Sequence, residues 1–158
     1  MKQKYTSKDT SLNQVAAIYK KYHFPAGAKV LDYGGGKYDT AADYMKTKAV
    51  FVGVYDPYNR TPEHNAAVLE LFSTPEYVVC SNVLNVVAED DVIDEILENL
   101  ASYGATVLIT VYEGDRSGIG RATSKGYQRN MRTADYAGMI RKHFGTVVRK
   151  NGVYECYR

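Results

Sequence analysis

Two carboxylates and a run of glycines first draw attention in this chain. Asp32 and Asp56 each close an apolar stretch, and Tyr33, Gly34, Gly35 and Gly36 follow the first of them in "KVLDYGGGKYD". Glycine weakens a strand and costs about 1 kcal/mol against alanine in a helix interior. Three together predict a place where backbone comes close to something. Pro57 and Tyr58 follow Asp56, and "VVCSNVLN" carries Ser81, Asn82 and Asn85 out of a third apolar stretch. A fourth leads into "EGDRSGIGRATSKGYQRNMR", where Arg116, Arg121, Lys125, Arg129 and Arg132 surround Tyr127 and Gln128. Guanidinium and ammonium groups pair with phosphates, and an aromatic ring can stack on a base.

The elements that must position these residues are read from periodicity. Residues 11–23 begin with Ser-x-x-Gln, the pattern of a capping box, and place Leu12, Val15, Ile18, Tyr19 and Tyr22 at helical spacing. "KVLDY" is a short buried strand, 38–47 a helix and "AVFVGVYD" a second buried strand. Thr61-Pro62 opens a helix over 61–72, and 77–84 is a third strand. Helix 89–104 has acids in its first turn and Gly104 as its stop. Residues 105–112 form a fourth strand, 133–145 a last helix, and Asn151-Gly152 joins two terminal strands in a hairpin. Helices alternating with strands apolar on both faces predict an α/β fold with a mostly parallel sheet covered on both sides, plus a C-terminal antiparallel hairpin. In such sheets ligands bind beyond the carboxyl ends of the strands. That rim would hold residues 33–38, 56–60, 81–85 and the loop after Tyr112.

The 158 residues suit one domain spanning 1–158. The polar start has no secretory segment, and no apolar run is long enough to span a membrane, so a cytoplasmic protein is expected. Cys80 and Cys156 lie in strand-like stretches without a CxxC and read as buried thiols. His23, His64 and His143 have no ligand spacing, and no metal site is predicted. Charge divides unevenly: residues 115–158 carry ten Lys/Arg against three Asp/Glu, and 1–114 carry ten against fifteen. That asymmetry points to an anionic partner for the C-terminal part, or to a solvated face.

Two phosphate-binding patterns are excluded by spacing. "GGGKY" has a lysine but neither the spacing nor the hydroxyl of GxxxxGK[ST], and Asp39 stands where GxGxxG needs its last glycine. "VLDYGGGKY" resembles instead the first motif of class I S-adenosylmethionine-dependent methyltransferases, often written VLDxGxGxG. Asp32, Gly34 and Gly36 fill the acid and the first two glycine positions, while Tyr38 replaces the third glycine. Asp56 stands where that family places the acid that bonds both ribose hydroxyls, and Tyr58 where a side chain packs on adenine. "VVCSNVLNVV" is similar to the motif beside the methyl donor. The resemblance spans 29–158 and implies a three-layer Rossmann-like fold. It implies S-adenosylmethionine held by Asp32, Tyr33, Gly34, Gly35, Gly36, Asp56, Pro57, Tyr58, Ser81 and Asn82, with Asn82 or Asn85 orienting an acceptor. Only "STPE" separates Phe72 from Tyr77, so the family's third strand is short or missing.

The acceptor is less legible. "SNVLN" lacks the [DNS]PP[YFW] pattern of amino-methylating DNA enzymes, and "DPY" falls at the ribose position instead. A faint likeness of "VLNVV" and 123–140 to phage and DNA-modification-associated methyltransferases names no substrate. The glycine-hinged basic loop 116–132 reads as a structureless lid over the rim. Arg116, Arg121, Lys125, Tyr127, Gln128 and Arg129 would meet DNA, RNA or a small-molecule acceptor. Cleavage of S-adenosylmethionine, or cofactor binding without chemistry, are alternatives on the same fold.

Overall fold

A computed structural model describes residues 3–6 and 12–158. Its elements follow the alternation read from the chain. They are α1 (Ile18–Lys21), β1 (Lys29–Tyr33), α2 (Thr40–Lys46), β2 (Phe51–Tyr55), α3 (Pro62–Leu71), β3 (Tyr77–Ser81) and α4 (Asp90–Ser102). Then come β4 (Thr106–Thr110), β5 (Arg121–Thr123), β6 (Gly126–Gln128), α5 (Ala137–Arg141), β7 (Thr146–Lys150) and β8 (Val153–Tyr157).

Six strands form one sheet in the order β2-β1-β3-β4-β8-β7. The first four are parallel, and β8 runs antiparallel to both β4 and β7. Successive side chains alternate between the faces. Leu31, Val78, Cys80, Val107 and Ile109 pack with Ile93 and Leu97 of α4 and Ile140 of α5. Val30, Val79 and Leu108 pack with Ile18 and Tyr19 of α1 and Met45 of α2. The result is the expected three layers. Cys80 and Cys156 are buried free thiols. Asn151 (φ 53°) and Gly152 (φ 76°) make the tight turn between β7 and β8, both in the left-handed region that such hairpin turns require.

The third strand of the family's pattern is missing, so β2 lies at an edge of the sheet. The start of α3 covers much of that edge. His64 Nε2 lies 2.7 Å from the Val54 carbonyl. The Asn65 carboxamide bonds both polar groups of Asp56, accepting from its N–H at 3.1 Å and donating to its carbonyl at 2.9 Å. A side-chain amide thus does what the peptide group of a neighbouring strand would do, which blunts an edge open to pairing. Asn65→Ala leaves the buried Asp56 N–H without a partner and its carbonyl with the Arg60 N–H alone, at 3.1 Å, and is expected to cost about 1–3 kcal/mol. A urea titration against the unmodified chain measures it, and a change below about 1 kcal/mol would show the edge is held by other means.

Three expectations need correction. The first helix is one turn, not 11–23. Leu12 is exposed, and Asn13 bonds Thr40 at the start of α2, so this stretch follows a tertiary contact over its own periodicity. Ser11 of the expected capping box lies outside the described residues. The helix over 133–145 is split into a 3-10 turn at 133–136 and α5. Its first backbone groups are claimed elsewhere: Thr133 N–H donates to Glu113 Oε2 at 2.6 Å, and the Tyr154 hydroxyl donates to Thr133 O at 2.5 Å. Finally, 113–132 is not structureless. It carries the β5–β6 hairpin and folds around Asn130, which accepts from Asp115 N–H (3.2 Å) and donates to Ile119 O (3.0 Å).

Candidate functional site

At the carboxyl end of β1 the three glycines approach the protein itself. Gly34 (φ +83°) needs a conformation that side chains disfavour, and a Cβ there would sit 2.6 Å from Cγ2 of Val83, on the turn leaving β3. A Cβ on Gly35 would sit 2.6 Å from the Asp32 carboxyl carbon. Gly36 (φ +87°) donates its N–H to Asp56 Oδ2 at 2.9 Å. Arg60 fastens the same loop through Gly36 O (2.8 Å), Tyr38 O (2.8 Å) and Asp39 (2.9 Å). The glycines therefore make a tight crossing between the ends of β1, β2 and β3.

Asp32 and Asp56 are both buried, and they differ sharply in their partners. Asp32 Oδ1 has no hydrogen-bond partner among the described residues. Burial pushes its pKa up to about 7, the Tyr19 hydroxyl beside it offsetting part of the rise and the Asp56 carboxylate adding to it. Asp56 is saturated. Oδ1 accepts from Tyr58 N–H (2.9 Å) and Asn59 N–H (3.0 Å), and Oδ2 from Gly36 N–H and from Asn59 Nδ2 (3.0 Å). A carboxylate offers about four acceptor positions, and these donors fill them. The Asp-Pro-Tyr-Asn stretch is thus a side-chain-capped turn. Of the four donors, only the Asn59 amide can leave by rotating a side chain.

The remaining cofactor candidates separate. Tyr33 directs its ring away from the glycine loop, 4.9 Å from the Tyr55 ring and within reach of Asn99 Nδ2 (3.4 Å). These rings line a cavity of about 200 Å³ with Leu69, Ser102 and Tyr103. Pro57 and Tyr58 are exposed beside Asp56. Ser81 Oγ accepts from Thr110 Oγ1 at 2.9 Å. Asn82 (φ +57°) turns the chain out of β3, its N–H bonded to Thr110 O at 2.9 Å. Asn85 is buried in a 3-10 turn at 84–86, with Oδ1 unpartnered and Nδ2 3.4 Å from Gln128 Oε1.

The basic loop also divides. Arg129 is not free to meet a substrate. Its guanidinium donates to Val87 O (2.8 Å) and Ala88 O (3.2 Å) and pairs with Asp90 (2.5 Å), and its side chain is only 11% exposed. Arg116 pairs with Glu113 at 3.0 Å. Arg121 and Lys125 stand exposed on the hairpin. Two of the supposed hinges are seats: a side chain at Gly114 would collide with Asn130, and one at Gly120 with the Tyr127 hydroxyl. Sequence reasoning missed Asn59, Arg60, Asn65, Val83 and Asn130. Only "DPYN", a turn signature, pointed toward the first of these.

No family model matches the chain, and no curated protein matches it. Solved structures do. An S-adenosylmethionine-dependent methyltransferase from Aquifex aeolicus superposes with a TM-score of 0.59 at 14% identity, over 90% of this chain and 88% of the other. A chain from the complex of the Haloferax volcanii Trm112 methyltransferase activator with a candidate methyltransferase gives 0.53 at 14% identity, over 84% of this chain and 68% of that one. The chain has the fold of the class I S-adenosylmethionine-dependent methyltransferases. Among the described residues no helix is long and apolar enough to cross a membrane.

Proposed function

We propose that this chain binds S-adenosylmethionine over the glycine loop and transfers its methyl group to an acceptor delivered by the β5–β6 hairpin. The observation that carries the reading is Asp32, a buried carboxyl beneath Gly35 whose Oδ1 is unpartnered, as is the buried Tyr19 hydroxyl beside it. Buried polar atoms are almost always satisfied, so an unpaired one at the carboxyl end of a parallel strand suits a donor from a ligand. Asp32, Gly34, Gly35 and Gly36 would hold the amino-acid end. Asp56 would reach the ribose hydroxyls once Asn59 turned away, and Tyr58 would flank the adenine. S-adenosylmethionine supplies an activated methyl on a sulfonium, so the protein's part is proximity and orientation. Asn82, exposed at the end of β3, and Asn85, with its free Oδ1, would orient the acceptor nitrogen or oxygen.

Calorimetric titration with S-adenosylhomocysteine tests the reading without requiring turnover. The pKa of Asp32 is raised from its ordinary 3.8 to about 7, so its neutral form is favoured in the fold. Its contribution to stability is present at low pH and is lost as pH rises through about 7. A cationic amine placed beside it favours the carboxylate. Binding is therefore expected to release a fraction of a proton near pH 6.5, seen as a dependence of the heat on buffer ionisation enthalpy, and to tighten as pH rises through about 7. Lack of binding sinks the reading; binding with no proton release removes Asp32 from it.

The saturation of Asp56 favours a second reading, a cofactor-binding or partner-binding module without chemistry. The structural neighbour taken from an activator complex supports a search for a protein partner in that case. Binding without methyl transfer to any acceptor would select this reading.

A further inference from the structure

Residues 3–6 form a short strap across the rim, in contact with three of the loops that build it. The Tyr58 hydroxyl, after β2, donates to Gln3 Oε1 at 3.3 Å. The Lys4 N–H donates to Glu89 Oε2, beyond β3, at 3.0 Å. Tyr5 lies on the hairpin: its ring and that of Tyr127 are nearly parallel, with centroids 5.3 Å apart and 18° between planes. Gln3 Nε2 closes the strap on itself by donating to Tyr5 O at 2.6 Å.

The hairpin is shaped to receive this strap. A Cβ on Gly126 would lie 3.1 Å from the Thr6 carbonyl, so the glycine gives the strap backbone room. Gly120 gives room to the Tyr127 hydroxyl in the same way. The Tyr127 ring is thereby anchored at its tip and presents a flat face beside Gln128, whose side chain reaches Asn85. Tyr5 covers that face. Among the described residues the strap is held by one ring stack and two hydrogen bonds to the body, few enough for it to open locally.

We infer that Tyr5 occupies the face of Tyr127 on which a planar heteroaromatic ring of the acceptor stacks, and that the strap is displaced when such a ring binds. The inference rests on the methyltransferase reading for its chemistry and deepens it: the acceptor carries a nucleobase-like ring. Stacking on an aromatic side chain accepts any base and needs no sequence readout. Tyr5 competes for the same face and sets a threshold that a small or non-planar acceptor does not overcome.

The experiment compares two single-stranded DNA oligonucleotides of equal length and charge, one carrying bases and one abasic, by fluorescence anisotropy with S-adenosylhomocysteine present. The unmodified chain should prefer the base-carrying strand. Tyr5→Ala should tighten that strand by about 2- to 12-fold, the range of an aromatic stack removed from competition, and leave the abasic strand unchanged. Tyr127→Ala should abolish the preference. S-adenosylhomocysteine affinity should be the same in all three, so loss of cofactor binding alone refutes the methyltransferase reading and leaves the stacking result to stand separately. The chain has no tryptophan, which makes Tyr5→Trp a unique reporter whose emission should shift to the red with the base-carrying strand only. Weaker binding of bases by Tyr5→Ala, or no preference for bases in any variant, overturns the inference.

Discussion

Asp56→Ala is expected to lower the stability of the fold by about 3–5 kcal/mol, with no ligand involved. The carboxylate is buried and accepts from three backbone N–H groups and the Asn59 amide. Alanine leaves the Gly36, Tyr58 and Asn59 N–H groups without their acceptor, and unpaired groups of this kind cost about 1–3 kcal/mol each when water does not reach them. It also frees the glycine loop from the end of β2. Urea titration followed by circular dichroism should show a lower midpoint with an unchanged slope. A loss under about 1 kcal/mol would mean that water replaces the carboxylate easily. The companion variant is Asn59→Ala, which opens one acceptor position on Oδ2 and retains the three backbone bonds. If Asp56 receives the ribose, that variant should bind S-adenosylhomocysteine at least as tightly as the unmodified chain. A clear loss of affinity would assign the ligand contact to Asn59 instead.

This pairing of variants follows from a difference between what the glycine loop suggests in one dimension and what it does in three. Apolar runs, two ending in acids and one in a polar segment, located β1, β2 and β3, and their alternation with helices predicted a parallel sheet; the parallel pairing of β2, β1, β3 and β4 agrees. These features are local, and residue type decides them. The glycines were legible as a close approach, but the partners were not. Val83 lies almost fifty residues beyond Gly34, and only the adjacency of β1 and β3 brings them together. Likewise "STPE" predicted that a strand was lacking, while nothing in "PEHNAA" shows that Asn65 bonds the edge so exposed. The basic loop was misread for the opposite reason. Its glycines and charges match a mobile segment in composition, yet Asn130 and Tyr127 pack against Gly114 and Gly120 and organise it. A long polar loop folds when its own side chains satisfy its backbone, and composition alone does not distinguish that case.

The same distinction separates the arginines of that loop and yields the other large effect. Arg129→Ala is expected to cost about 2–4 kcal/mol of stability and to leave the salt dependence of oligonucleotide binding nearly unchanged. Its guanidinium ties β6 to the carbonyls of Val87 and Ala88 and to Asp90 at the start of α4. Alanine therefore leaves two carbonyls without their charged donor and removes the stem that packs beneath them. Arg121 and Lys125 are exposed on the hairpin, where Arg121 acts on the Asp115 carboxylate only as a nearby charge. If the acceptor is a nucleic acid, Arg121→Ala with Lys125→Ala should flatten the log–log salt slope by roughly 1.4–1.8 units and hardly move the unfolding midpoint. Melting curves and a salt series on the same three proteins separate the roles. A flattened slope in Arg129→Ala with intact stability would return that arginine to the binding surface. An unchanged slope in the double variant would remove the hairpin from phosphate contact and direct the search toward a small uncharged acceptor.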